Sequence, residues 1–237
     1  MAGRLDSELL LQSDIYNLAF AGGSALTGLM LLKENALLSG YVPESIWIEE
    51  NILLIRGADY EMIGSLFHPV GYALKKHIPS LREKYQPLNF VMSALKTRFG
   101  KSKDEQASQQ RDERIYAMSI QNQLASYQNP IQGYEANLAL LEGLLAFFEQ
   151  RGVRIVFFQM PFDPVLAPTP RVESQHEILR HHFGQYEFLP APNHQAYMTN
   201  DGIHLMPESA MRFSKEFVEI THKSYTGKND KWHLCEK

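Results

Sequence analysis

Apolar residues fall in blocks along this chain, and the spacing within the blocks alternates between that of a strand and that of a helix. Ile15 to Phe20 is a short, mostly apolar run ended by Ala21-Gly22-Gly23-Ser24, after which Leu26, Leu29, Met30 and Leu32 recur at helical spacing. The pattern predicts a strand, a tight turn and a helix. Ser45-Ile-Trp-Ile-Glu49 has the β-branched and aromatic content of a second strand and leads into Glu50-Asn51. From 60 to 95, helical periodicity is interrupted by Pro69, Pro79 and Pro87, which predicts short helices broken by turns. Lys96 to Arg114 is polar, with mixed charges, and reads as a solvated loop or exposed helix.

An amphipathic helix is predicted from Tyr134 to Gln150, closed by Gly152. Val153 to Phe158 is almost wholly apolar, as suits a parallel strand buried on both faces. A helix over 173 to 183, a short strand over Tyr186 to Leu189 and a last helix from Pro207 to His222 complete the series. Strands alternating with helices predict an α/β domain built on a parallel sheet covered on both sides.

The 237 residues, 44% of them apolar and 11% aromatic, suffice for the core of one large domain, taken here as 1–237 with a helical and polar insertion at about 60–130. A formal charge of -4 gives no footprint for a polyanion, so nucleic acid is not expected as a partner. The single cysteine, Cys235, cannot form an intrachain disulfide, which leaves the redox compartment open. Met1 to Ser7 lacks a basic start leading into an apolar stretch, so no signal peptide is expected and the cytoplasm is the default location. No apolar run approaches the roughly 20 residues that would span a bilayer.

Candidate chemistry concentrates in Thr199-Asn-Asp201-Gly-Ile-His204-Leu-Met-Pro207, where an acid and a histidine stand three apart in a glycine-containing loop ahead of a proline-started helix. An aspartate beside an imidazole fixes its tautomer and stabilises the imidazolium formed when histidine takes a proton from a nucleophile.

Asp201-Gly202-Ile203-His204-Leu205 with Pro207 resembles the last conserved block of the SGNH (GDSL-type) hydrolases. Tyr16-Asn17-Leu-Ala-Phe-Ala-Gly22-Gly23 resembles their second block, and Glu49-Glu50-Asn51 stands where their third block has its asparagine, without the flanking glycine and aspartate. The resemblance implies a three-layer α/β/α, flavodoxin-like domain and an ester hydrolase or acyl-transfer enzyme. In it His204 is the base, Asp201 orients His204, and Gly22 with Asn51 forms the oxyanion hole. It implies no cofactor and no metal, and a small-molecule, lipid or glycan ester as substrate. The segment bearing the family's nucleophilic serine has no counterpart in the sixteen residues before Asn17, so the chain reads as a truncated product. The divergent third block, the helical insertion and the Gly-Gly-Ser turn resemble membrane-tethered SGNH-like proteins of bacterial envelopes, which implies a longer product near the membrane.

Ser24, in a glycine turn, is a substitute nucleophile by position, but it equally suits the N-cap of the helix that follows. His181, His182 and His194 admit a metal-site reading with Asp201 and His204, though at irregular spacing. Glu49 and Glu50 read as strand-end carboxylates rather than a catalytic pair. Two other function classes stay open: a non-catalytic SGNH-like domain, and a flavodoxin-like module binding phosphate or nucleotide at Ala21-Gly22-Gly23-Ser24.

Overall fold

The strand over the apolar run at Val153 is the middle of the sheet. In the computed structural model, which describes residues 7–18, 24–67 and 111–232, β2 (Arg154–Phe158) lies between β1 (Ser45–Glu49) and β3 (Glu187–Phe188). Among the described residues the pairings in this sheet are parallel, in the order β1-β2-β3, with Ile46 opposite Ile155, Ile48 opposite Phe157, and Phe157 opposite Phe188. Parallel neighbours need crossovers, and helices supply them. The helices are α1 (Ser7–Gln12), α2 (Ala25–Ser39), α3 (Tyr60–Phe67), α4 (Glu113–Tyr127), α5 (Glu135–Glu149), α6 (Pro170–Phe183) and α7 (Pro207–Trp232).

Alternation along the strands sends side chains to two separate cores. Ile46, Ile48, Ile155 and Phe157 join Leu26 and Leu29 of α2, Leu141 to Phe148 of α5, and Leu179 and Phe183 of α6. Phe158 points the other way, into a second core with Leu10 of α1 and Phe213 and Phe217 of α7, against which Trp47 packs. Rings do much of this packing: Phe157 stacks on Phe188 at 4.7 Å, and Trp47 meets Phe217 edge-on at 5.5 Å. Each fully buried Phe or Leu stabilises the fold by about 1.5–3 kcal/mol relative to exposure.

α5 buries Leu138, Leu141, Leu144, Leu145 and Phe148, the stripe its sequence predicts. It is stopped by Gly152, whose φ of +75° lets the amide of Val153 return to the Phe148 carbonyl and aims the chain straight into β2. Ser24 caps α2, accepting from the Thr27 amide, and Gly40 ends that helix in the left-handed region.

The expectation of a strand over Ile15 to Phe20 is corrected where it can be read. Ile15 to Leu18 has no regular structure, and residues 19 to 23 lie outside those described. A turn through Asp14, with φ +56°, folds the Ile15 amide back onto the Leu10 carbonyl, so the segment closes α1. The last helix runs well past the expected end, to Trp232. Of the predicted broken helices over 60 to 95, α3 is seen and the remainder falls outside the described residues, as does nearly all of the polar segment Lys96 to Arg114. Among the described residues no helix is long and apolar enough to cross a membrane.

Candidate active site

Between β3 and α7 the chain makes a narrow antiparallel ribbon. Thr199 bridges Leu205, the Asn200 amide donates to the His204 carbonyl at 2.7 Å, and the Met206 amide donates to Met198 at 2.8 Å. Alternation sorts its side chains: Tyr197, Thr199 and Leu205 are buried, whereas Met198 and His204 face out. Pro207 then starts α7, and Ser209 in its first turn accepts from the Met198 amide, so helix and ribbon are fixed together.

The ribbon's tip holds the predicted acid and base. Asp201 Oδ1 accepts from the amides of Ile203 at 3.1 Å and His204 at 2.8 Å, leaving Oδ2 to meet His204 Nδ1 at 2.7 Å. Burial pushes the Asp201 carboxyl up, but the two amides and the imidazole together outweigh it and hold the group below its usual range. An ionised carboxylate only accepts, so Nδ1 carries the imidazole proton and Nε2 offers a lone pair. The His204 side chain is 57% exposed, and among the described residues Nε2 has no partner, so it is open to an incoming group.

Asn51, just past β1, has its amide nitrogen on the Met160 carbonyl at 2.8 Å, and its backbone N–H donates to Glu49 Oε1 at 2.9 Å. Its Oδ1 is buried without a partner. Asn51 and the Asp201 loop are both anchored to the stretch that leaves β2, since the Asp163 amide donates to the Gly202 carbonyl at 2.8 Å. Both therefore gather at the carboxyl ends of β1 and β2, where an open parallel sheet places its ligands.

Gly22, the other expected oxyanion donor, lies outside the described residues. Ser24 is buried, and its hydroxyl donates to the Gly57 carbonyl at 2.9 Å while accepting from Thr27. Those contacts are those of a helix cap. Among the described residues no group of three or more His, Cys, Asp or Glu side chains comes together as a metal site. His194 instead accepts from the Phe162 amide, and His182 faces Glu142 at 3.3 Å.

One feature was not singled out in the sequence, and a second, Glu50, was expected only as a strand-end carboxylate. Asp163, also buried, takes the Tyr116 hydroxyl on Oδ2 at 2.5 Å and the Val165 amide on Oδ1 at 3.0 Å. Glu50 is completely buried behind Asn51, with both carboxylate oxygens unpartnered and His176 Nε2 3.8 Å away. A carboxylate directly after Gln159-Met-Pro-Phe162 was the available signal for the first; the second had none beyond its place at a strand end. A groove of about 300 Å³ opens beside the ribbon between Met198, Met206 and Pro207 on one side and Arg111 and Glu113 on the other.

No protein-family model, curated protein or solved structure matches this chain.

Proposed function

We propose that this chain is a hydrolase or acyl-transfer domain of the SGNH type, on a three-layer, flavodoxin-like plan, acting on an ester. The observation that carries the reading is the 2.7 Å contact of Asp201 Oδ2 with His204 Nδ1, whose carboxylate is fixed on its other oxygen by two backbone amides. Such a pair raises the basicity of Nε2 and fixes its direction without using Nε2 itself.

In this reading a serine hydroxyl attacks the ester carbonyl as Nε2 takes its proton, and Asp201 stabilises the imidazolium. The same proton then passes to the departing alcohol. Asn51 has a second amide hydrogen beyond the one given to Met160, and with the Gly22 amide it would hold the oxyanion. In the SGNH family that serine stands in a Gly-Asp-Ser type of segment. Ser24 does not fill that role, since its hydroxyl is committed to Gly57 and Thr27.

The test is p-nitrophenyl acetate hydrolysis by this chain and by any longer product of the same reading frame, each with His204→Ala and Ser24→Ala, alongside fluorophosphonate labelling. Turnover and labelling that vanish with His204→Ala and survive Ser24→Ala support the reading. Turnover indifferent to His204→Ala overturns it. The second reading, a non-catalytic domain of the same fold, is favoured by one observation: among the described residues no hydroxyl bonds His204. Absence of turnover and labelling from every form would decide for that reading.

A further inference from the structure

The ribbon tip is held from outside by one stripe of α4. Tyr116, Ile120 and Gln123 stand at helical positions i, i+4 and i+7, so they share a face. Gln123 donates its side-chain amide to the Asp201 carbonyl oxygen at 2.6 Å. Ile120 packs so close to Gly202 that a Cβ there would lie 2.7 Å from its Cδ1. Tyr116 reaches the tip through a second residue: it donates to the Asp163 carboxylate, whose Oδ2 also takes the Thr199 hydroxyl at 3.4 Å and whose own amide grips the Gly202 carbonyl.

We propose that Gln123 and the Tyr116–Asp163 pair are positioning residues, a clamp that keeps Asp201 in register with His204. The inference rests on the hydrolase reading for its purpose but not for its test. The geometry of the dyad depends on a tip whose Gly202 sits at φ +96°. Asp201 can present Oδ1 to two amides and Oδ2 to the imidazole only while that turn persists. The turn's internal bonds join only Asn200, Asp201, Ile203 and His204; the bonds to the Asp201 and Gly202 carbonyls fix it to α4 and to the loop after β2. A carboxylate as buried as Asp163 is retained at a desolvation cost, and its hydrogen bonds to Tyr116, Thr199 and Val165 offset that cost.

The readout is the tautomer of His204 in the full chain, from long-range proton–nitrogen correlation spectra, with the signal assigned among nine histidines by its loss in His204→Gln. The Nδ1–H form should dominate. Tyr116→Phe and Gln123→Leu should each lower the ratio of Nδ1–H to Nε2–H about five-fold, the size of one lost hydrogen bond. Asp163→Asn, which still accepts from Tyr116, should lower it less. A merely structural role would move the melting midpoint and leave the tautomer ratio alone, and that result overturns the clamp.

Tyr116→Phe removes one hydroxyl oxygen and Thr199→Val supplies a second lesion at the same carboxylate, so the test survives if one variant fails to fold. Asp201→Asn sets the scale. If it shifts the ratio and the clamp variants do not, the clamp alone fails; if it shifts nothing, the dyad beneath the hydrolase reading fails with it.

Discussion

Oε2 of Glu50 and Nε2 of His176 face each other across 3.8 Å, the carboxylate fully buried and the imidazole nearly so. Burial pushes the Glu50 carboxyl up to about 7 against the pull of the Arg180 guanidinium. Burial pushes His176 down to about 4, and the positive charges of Arg180 and His194 add to it. Near neutral pH the imidazole is uncharged and the acid half-protonated, so the two do not form an ion pair, and at 3.8 Å they do not hydrogen-bond either.

That site should give opposing pH slopes. The unfolded glutamate titrates near 4.5 and the folded one near 7, so the folded state binds the extra proton between those values and stability falls as pH rises through them. His176 binds its proton near 6.5 when unfolded and near 4 when folded, so its contribution rises with pH over that interval. Glu50→Gln removes the Glu50 part of the falling limb, while Glu49, also pushed up to about 7 by burial, keeps its own. Relative to wild type, the variant should gain on the order of 3 kcal/mol between pH 4.5 and pH 8 in urea unfolding. An unchanged difference across that range would mean that Glu50 is solvated in the folded protein.

Asp201→Asn should remove the acceptor for Nδ1–H while keeping volume. With the imidazole free to take the other tautomer, hydrolysis in any active form should fall on the order of 10³–10⁴-fold in kcat. Steady-state kinetics on a p-nitrophenyl ester measure this, and a loss under ten-fold would put the acid elsewhere.

Gly202→Ala meets two obstacles at once: a φ of +96°, and a new Cβ 2.7 Å from Ile120 and 3.1 Å from Leu166. A destabilisation of about 2–3 kcal/mol is expected from denaturant midpoints. The His204 tautomer ratio should shift with it, since the strained residue is part of the turn itself.

Ser24→Ala deletes the α2 cap and the bond to Gly57, a loss of about 1–2 kcal/mol. Hydrolysis per folded molecule should not change. A variant as stable as wild type but inactive would return Ser24 to the role of nucleophile.

The parts of the molecule legible in the sequence were those with a strong period or a local motif. β1, β2, α5 and α6 are recovered within a few residues, because Val153 to Phe158 and the Leu-rich stripe of α5 are decided by burial alone. The Asp201–His204 pair was legible for the same reason: a three-residue spacing closes its own turn. The segment Ile15 to Leu18 has strand composition but turns back on α1, since pairing partners are not encoded in a run's hydrophobicity. Asp163, Tyr116 and Gln123 come together from distant positions, Gln123 lying 78 residues before Asp201 and Tyr116 farther still, and only the folded backbone defines that proximity.

The small cluster of Phe162, Leu166 and Val172, with Ile120, Leu124 and Ile203 against it, is separate from the two cores that sandwich the sheet. A unit with so little apolar area of its own opens at a lower free energy than the sheet does. Ile203 seats the proposed catalytic tip on this weaker cluster, while Tyr197 and Leu205 root the ribbon below it in the second core. On warming, exchange of the Asn200 amide at the tip should quicken before that of Met206 and of the strands, so the turn that pairs Asp201 with His204 should loosen before the sheet does.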